Sequence, residues 1–236
     1  MCSTNIYSNN KILIVAAHPD DEVLGCGGTI ARLAREGNVI YTLILGEGIT
    51  SRDEARDKAK RAKEIRKLKY QAERANNMLG VKKSFIFDFP DNRFDTVPLL
   101  DIIKIVEKVK KQLDPDVIFT HSRGDLNIDH RITFESVLTA SRPVKKERLK
   151  ELYSFEVPSS TEWSAAKISD YFKPNLFIDI SNTLKLKVEA LKVYSLEVRD
   201  FPHPRSPEAI EIIAKRRGIE AGLTAAEAFE IVRLIR

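Results

Sequence analysis

The stretch that most restricts the fold is Ile12-Leu13-Ile14-Val15, four large aliphatic residues with no polar interruption. A strand with one wet face alternates apolar and polar residues, so an unbroken run reads as a strand covered on both faces. Such strands lie inside a largely parallel sheet with helices on either side. This run leads into Ala16-Ala17-His18-Pro19-Asp20-Asp21-Glu22 and then Gly25-Cys26-Gly27-Gly28. Three acids and a histidine thus crowd the end of a buried strand. Like charges at that spacing repel, and a cation or a shared proton relieves them. A divalent ion is the expected occupant, with zinc favoured by the histidine.

The rest of the chain alternates strand and helix patterns. A helix is expected from about residue 23 to the stop at Gly37, and a second strand over 39–45. Gly46-Glu47-Gly48 breaks that strand, and a long charged helix is expected over 51–79, ended by Gly80. A third strand over 83–87 leads into the polar loop Phe89-Pro90-Asp91-Asn92-Arg93-Phe94-Asp95. An amphipathic helix over 99–113 and a fourth strand over 116–120 follow. Helix is next expected over 132–140, strands over 152–157 and 175–180, and helix over 182–194. The segment 201–207 reads as extended and proline-stiffened, and two short helices, 208–217 and 224–234, finish the chain.

This order implies right-handed crossovers and a largely parallel sheet. A doubly wound fold would give it the strand order 3-2-1-4. The direction of winding then reverses between strands one and four, where ligands bind outside the carboxyl ends of the strands. The loop after strand one holds residues 18–22. The loop after strand four is His121-Ser122-Arg123-Gly124-Asp125-Leu126-Asn127-Ile128-Asp129-His130. Both metal-friendly stretches therefore fall at one place, although they are far apart in the chain.

Length and composition narrow the rest. A chain of 236 residues suits one α/β domain spanning 1–236. No apolar run reaches the roughly 18 residues of a membrane span, and the first residues lack the basic and apolar regions of a signal peptide. Two cysteines, Cys2 and Cys26, make no disulfide framework, so a reducing cytoplasm is the expected compartment. The net charge of +5 is spread over helices that also carry acids, as in Arg52-Asp53-Glu54-Ala55-Arg56-Asp57-Lys58. Such mixtures are solvated faces, and no nucleic-acid-binding motif accompanies them.

Catalytic zinc takes three protein ligands and keeps one position open. His18 and Asp21, three apart in a tight turn, can share an ion, and His130 completes the set. Asp20 is then free as general base for water. A dinucleotide fold is disfavoured because Ile30 stands where the third glycine belongs and the acids would repel a pyrophosphate. A magnesium-dependent phosphoryl hydrolase built on the paired aspartates would leave both histidines idle. Cys26 reads as a packing residue, and no Gly-x-Ser-x-Gly elbow is present.

Ala17-His18-Pro19-Asp20-Asp21-Glu22 with the downstream Asp129-His130 resembles the PIG-L/LmbE-like zinc-dependent de-N-acetylases. Leu79-Gly80-Val81, Pro90-Asp91, His203-Pro204-Arg205-Ser206, Arg217-Gly218 and Ala226-Glu227-Ala228-Phe229 resemble its bacterial branch. The resemblance implies a Rossmann-like fold, one zinc ion on His18, Asp21 and His130, and Asp20 as base. It also implies removal of an acetyl group from an N-acetylglucosamine-like unit, with Asp91 binding a sugar hydroxyl and Arg93 and Arg205 as further substrate contacts. Asp129 would orient His130 or cap the helix that begins there. Many relatives carry a histidine where this chain has Asn127. An asparagine donates to an oxyanion but carries no charge, so Asn127 does a reduced job or His121, Arg123 or His203 moves in, His203 being the first candidate. A sugar or nucleotide-sugar binding module with structural zinc is the remaining alternative. The expected partner is an amino-sugar substrate, without nucleic acid or membrane span, and the sequence leaves a homo-oligomer open.

Overall fold

The computed structural model describes residues 9–145, 147–165 and 170–236. The expectations attached to Cys2 and the first seven residues lie outside them. The first strand, β1 (Lys11–Ala16), is the interior strand its composition implies. Ile12, Ile14 and Ala16 face one apolar layer, while Leu13, Val15 and Ala17 face the other. Neither side of this strand meets water, so alternation would be a liability there.

Helix α1 (Asp21–Arg35) follows, with acids in its first turn and Arg32 and Arg35 in its last, as the helix dipole favours. Then come β2 (Val39–Gly46), α2 (Ala62–Leu79), β3 (Lys83–Phe89), α3 (Leu99–Leu113), β4 (Val117–His121) and α4 (Ile128–Ala140). The second half supplies β5 (Glu151–Phe155), β6 (Leu176–Asp179), α5 (Leu184–Val193), α6 (Pro207–Ala221) and β7 (Ala226–Leu234). The strands form one seven-stranded sheet in the order β3-β2-β1-β4-β5-β7-β6. Pairing is parallel from β3 through β5, and β7 runs antiparallel to both β5 and β6. The expected order 3-2-1-4 is present, and the winding reverses between β1 and β4. Residues of α1, α2 and α5 pack on one face of the sheet, and those of α3 and α4 on the other.

Several boundaries differ from expectation, each for a visible reason. The charged run 51–79 is α-helical only from Ala62, after a single 3-10 turn at Thr50–Arg52. Before that, Arg56 pairs with Glu47, and Lys60 and Arg61 both pair with Asp53, so the charges close a loop instead of lining a helix. Helix α4 starts at Ile128 rather than 132, because the Asn127 side chain accepts from the Asp129 N–H and caps it. Residues 201–206 form successive turns, not an extended segment.

The largest correction is β7, expected as a helix. Its Ala- and Glu-rich start has helical propensity, but Ala226, Glu227, Ala228 and Phe229 are all buried between β5 and β6. Tertiary pairing overrides so weak a local preference. The glycine cluster in α1 serves packing. A Cβ on Gly28 would come within 2.8 Å of Ile180, and one on Gly25 would strike the Phe155 ring. No helix among the described residues is long and apolar enough to cross a membrane.

Candidate active site

The loop leaving β1 and the first turns of α1 and α4 meet at the reversal of winding. His18, Asp21 and His130 each bring one ligand-type atom there, and the three atoms lie within 4.8 Å of one another. Asp21 Oδ2 stands 3.4 Å from His18 Nδ1 and 3.3 Å from His130 Nε2. All three residues are buried. Asp21 Oδ1 and both ring nitrogens of His130 make no hydrogen bond despite that burial, and buried polar atoms are seldom left so. Two imidazole nitrogens and a carboxylate are also a donor set that zinc accepts. The residues fit a divalent metal.

Carboxylates hold both imidazoles from behind. His18 Nε2 is 2.9 Å from Asp129 Oδ2 and 3.4 Å from Asp91 Oδ1. His130 Nδ1 is 3.1 Å from Asp125 Oδ1. Burial lowers the pKa of both rings, but the surrounding carboxylates outweigh it, raising His18 well above its ordinary value and His130 to about 9. His121 completes a cluster of three of the four histidines in the chain. Its ring stacks on His130 with centroids 4.0 Å apart, and its Nε2 accepts the Ala17 N–H at 2.8 Å. Burial, reinforced by His130, lowers its pKa, so it packs as a neutral ring.

Asp20 faces the adjoining cavity of about 220 Å³, whose lining includes His18, Ser51, Asp91, Asn127, Glu197 and Arg205. Its backbone is left-handed, with φ 109°, a conformation that costs a non-glycine residue about 1–3 kcal/mol and recurs at functional sites. Glu22 holds it there. One Glu22 oxygen accepts the Asp20 N–H at 3.1 Å, and the other accepts from Asn76 of α2 and from the Tyr194 hydroxyl. Burial pushes Glu22 up to about 7 against the opposing Tyr194 bond. It also raises Asp20 well above the carboxylate range, opposed by Arg205, whose Nη1 is 3.0 Å from Asp20 Oδ2.

The remaining residues singled out in the sequence divide. Asp91 reaches the cavity, with its Oδ2 accepting from the Ser51 N–H at 3.0 Å and hydroxyl at 2.6 Å. Asn127 reaches it too, with its Oδ1 committed to capping α4 at 2.8 Å. Asp129 orients His18 rather than His130: its second oxygen accepts the Phe94 N–H, which turns the carboxylate towards the β1 loop. Arg93 reaches the Glu54 carbonyl at 3.3 Å and is not part of the cavity lining. Nor is His203, because its ring packs edge-on to Trp163 and its Nδ1 accepts the Arg205 N–H. Arg123 pairs with Asp170.

The sequence profile described as GlcNAc-PI de-N-acetylase matches residues 13–141, over half of the chain and all three ligand candidates. The chain belongs to this PIG-L family. The family and its deacetylase relatives support a deacetylase, an amide hydrolase. The chain is 28% identical over 195 residues to the diacetylchitobiose deacetylase of Thermococcus kodakarensis, covering 78% of this chain and 68% of that one. The N,N'-diacetylchitobiose deacetylase of Pyrococcus horikoshii superposes with a TM-score of 0.77 at 20% identity, covering 99% of this chain and 87% of that one. GalB, the 4-carboxy-2-hydroxymuconate hydratase of Pseudomonas putida, superposes with a TM-score of 0.76 at 21% identity, covering 96% and 98%. Likeness at that identity speaks for the fold alone, and a fold by itself does not select a reaction.

In this PIG-L family member, sequence reasoning passed over three residues of the site. Asp125 backs His130 and also accepts from the hydroxyls of Ser160 and, at 2.6 Å, Thr161. Glu197 and Arg52, 2.6 Å apart, line the cavity. His121, which the sequence offered as an oxyanion partner, lies under His130. Asp125 had a signal in its place on the loop after β4. Glu197 and Arg52 are single charges in irregular segments, with nothing in the pattern to mark them.

Proposed function

We propose that the chain hydrolyses the acetamide of an N-acetylated amino sugar, with one zinc ion on His18, Asp21 and His130 and with Asp20 as general base. One observation carries this reading: three buried ligand-type atoms within 4.8 Å of one another, at a cavity that also exposes a separate carboxylate. The diacetylchitobiose deacetylase relative supports an amino sugar as substrate. The pairing of two buried histidines with Asp21 counts against a magnesium-dependent phosphoryl hydrolase, which needs only oxygen ligands.

When bound, zinc supplies a Lewis acid that makes water acidic and draws electrons from an amide carbonyl. The chain's own residues do the rest. Asp20 takes a proton from the attacking water and returns it to the departing amine. Asn127, whose Oδ1 is engaged in the helix cap, has its amide N–H₂ to offer to the oxyanion. Asp91, steadied by Ser51, presents a carboxylate to a sugar hydroxyl at the cavity wall. Asp129 and Asp125 keep the two imidazoles aimed at the shared point.

The test is acetate and free-amine release from a panel of N-acetylated monosaccharides and disaccharides, by protein stripped with a chelator and reloaded with zinc. Release that follows zinc supports the reading. Zinc binding without hydrolysis of any acetamide favours the binding-module alternative, and turnover unaffected by stripping overturns the metal-dependent one.

A further inference from the structure

Arg205 combines two properties that a loose substrate contact does not need. Its side chain is only 22% exposed, and its guanidinium reaches two carboxylates and a serine hydroxyl from separate segments. Nη1 lies 3.0 Å from Asp20 Oδ2 and 3.6 Å from Glu197 Oε2, and Nε donates to Ser159 Oγ at 2.8 Å. Glu197 is fixed in turn, because its Oε1 takes Arg52 Nη2 at 2.6 Å. The guanidinium is thus braced from the turn after β5 and from the segment after α5. The planar fork of an arginine turns such bracing into a fixed direction, and here that direction is the Asp20 carboxylate.

We propose that Arg205 is a positioning residue for Asp20, pinning Oδ2 so that the other carboxylate oxygen is presented to the attacking water. Asp20 is then anchored twice, by Glu22 at its main-chain N–H and by Arg205 at its side chain. The inference rests on Asp20 being the base of the proposed reaction. Positioning Asp20 is a different role from the substrate contact expected of Arg205 from the sequence, and the two differ in a measurable way. A substrate contact moves KM, whereas a residue that aims the base moves kcat.

The experiment uses the zinc-loaded full chain and the sugar hydrolysed fastest in the panel above. Arg205→Gln is expected to lower kcat by about 10–100-fold, the scale of a misplacement near 1 Å, with KM and bound zinc unchanged. Arg205→Lys, which keeps the charge without the fork, should recover part of the loss. In an Asp20→Asn background, Arg205→Gln should cost little more, because residues that act as a unit are non-additive. A KM increase with kcat intact, or full additivity, overturns the proposal. If Asp20→Asn itself hydrolyses normally, the general-base reading fails first, which separates the two failures. A cycle on thermal midpoints reads the same pair without substrate: shifts of the two single variants that simply add overturn the contact.

Discussion

Replacing Glu227 by glutamine removes one charge from a place where the fold has committed three hydrogen bonds to it. Glu227 is 4% exposed, and its two oxygens accept the Gly28 N–H at 2.9 Å, the Thr29 N–H at 2.7 Å and Lys187 Nζ at 2.6 Å. Lys187, itself buried, also donates to the Leu24 carbonyl at 2.7 Å. An ion pair from β7 and α5 is thus stitched into the middle of α1, the helix that carries Asp20 and Asp21 at its start. Glutamine keeps the shape but swaps one acceptor for an N–H₂ that must face a donor.

Hydrogen bonds to charged groups contribute about 1.5–3 kcal/mol each, and losing the equivalent of two gives about 3–6 kcal/mol. Breaking one side of a buried ion pair costs about 3–5 kcal/mol by comparison with other proteins, so the two routes agree. At about 2–4 °C per kcal/mol for a chain of this size, the thermal midpoint should fall by roughly 6–20 °C. Urea and thermal unfolding followed by circular dichroism measure this. The double variant Lys187→Met/Glu227→Gln leaves no stranded ammonium and should recover much of the loss. A single variant within about 1 kcal/mol of the parent, well under the usual cost of a stranded buried charge, refutes the reasoning. So does a double variant worse than the single one.

Asp125→Ala should weaken zinc binding by about 10–100-fold, the usual cost of removing the carboxylate behind a ligating histidine; chelator competition measures it, and unchanged affinity removes Asp125 from the site. Asp116 governs a pH effect away from the site, where its Oδ2 accepts the Lys11 N–H at 2.8 Å and Oδ1 faces Arg148 Nε at 2.6 Å. Burial raises its pKa, but Arg148 and the Lys11 N–H outweigh that and hold it below the ordinary value. A depressed carboxylate stabilises the fold above its unfolded pKa and loses that contribution as pH falls through its folded one. Asp116→Asn should therefore be the less stable protein near neutrality, with the gap closing in acid. A gap that widens in acid contradicts the sign.

Much of this fold was legible because its central strand is unambiguous. Ile12 to Val15 demanded burial on both faces, and the alternation that followed implied a largely parallel sheet, which has the doubly wound order β3-β2-β1-β4. Helix α3 has the bounds its amphipathic spacing predicts. The half-sites at His18 and His130 could be joined in advance because a doubly wound sheet brings the loops after β1 and β4 together. Elsewhere the pattern misled for physical reasons. Ala226 to Leu234 has helical propensity, and only pairing with β5 and β6, unseen in a linear pattern, makes it a strand. Arg93 and His203 have suitable chemistry, but their backbone directs them to Glu54 and Trp163. Asp125 and Glu197 act through partners distant in sequence, Ser160 and Thr161 for one and Arg205 for the other, so no local spacing betrays them.

The central claim is a division of labour between adjacent aspartates, with Asp21 on the metal and Asp20 on the proton. The most direct measurement is bound zinc per chain and acetate release in one preparation of Asp20→Asn, beside the parent. The account predicts one zinc per chain in both, with turnover in the variant down by about 10²–10⁴-fold, the range general-base catalysis supplies. A folded Asp20→Asn protein that releases acetate at the parental rate, or that has lost its zinc, contradicts it.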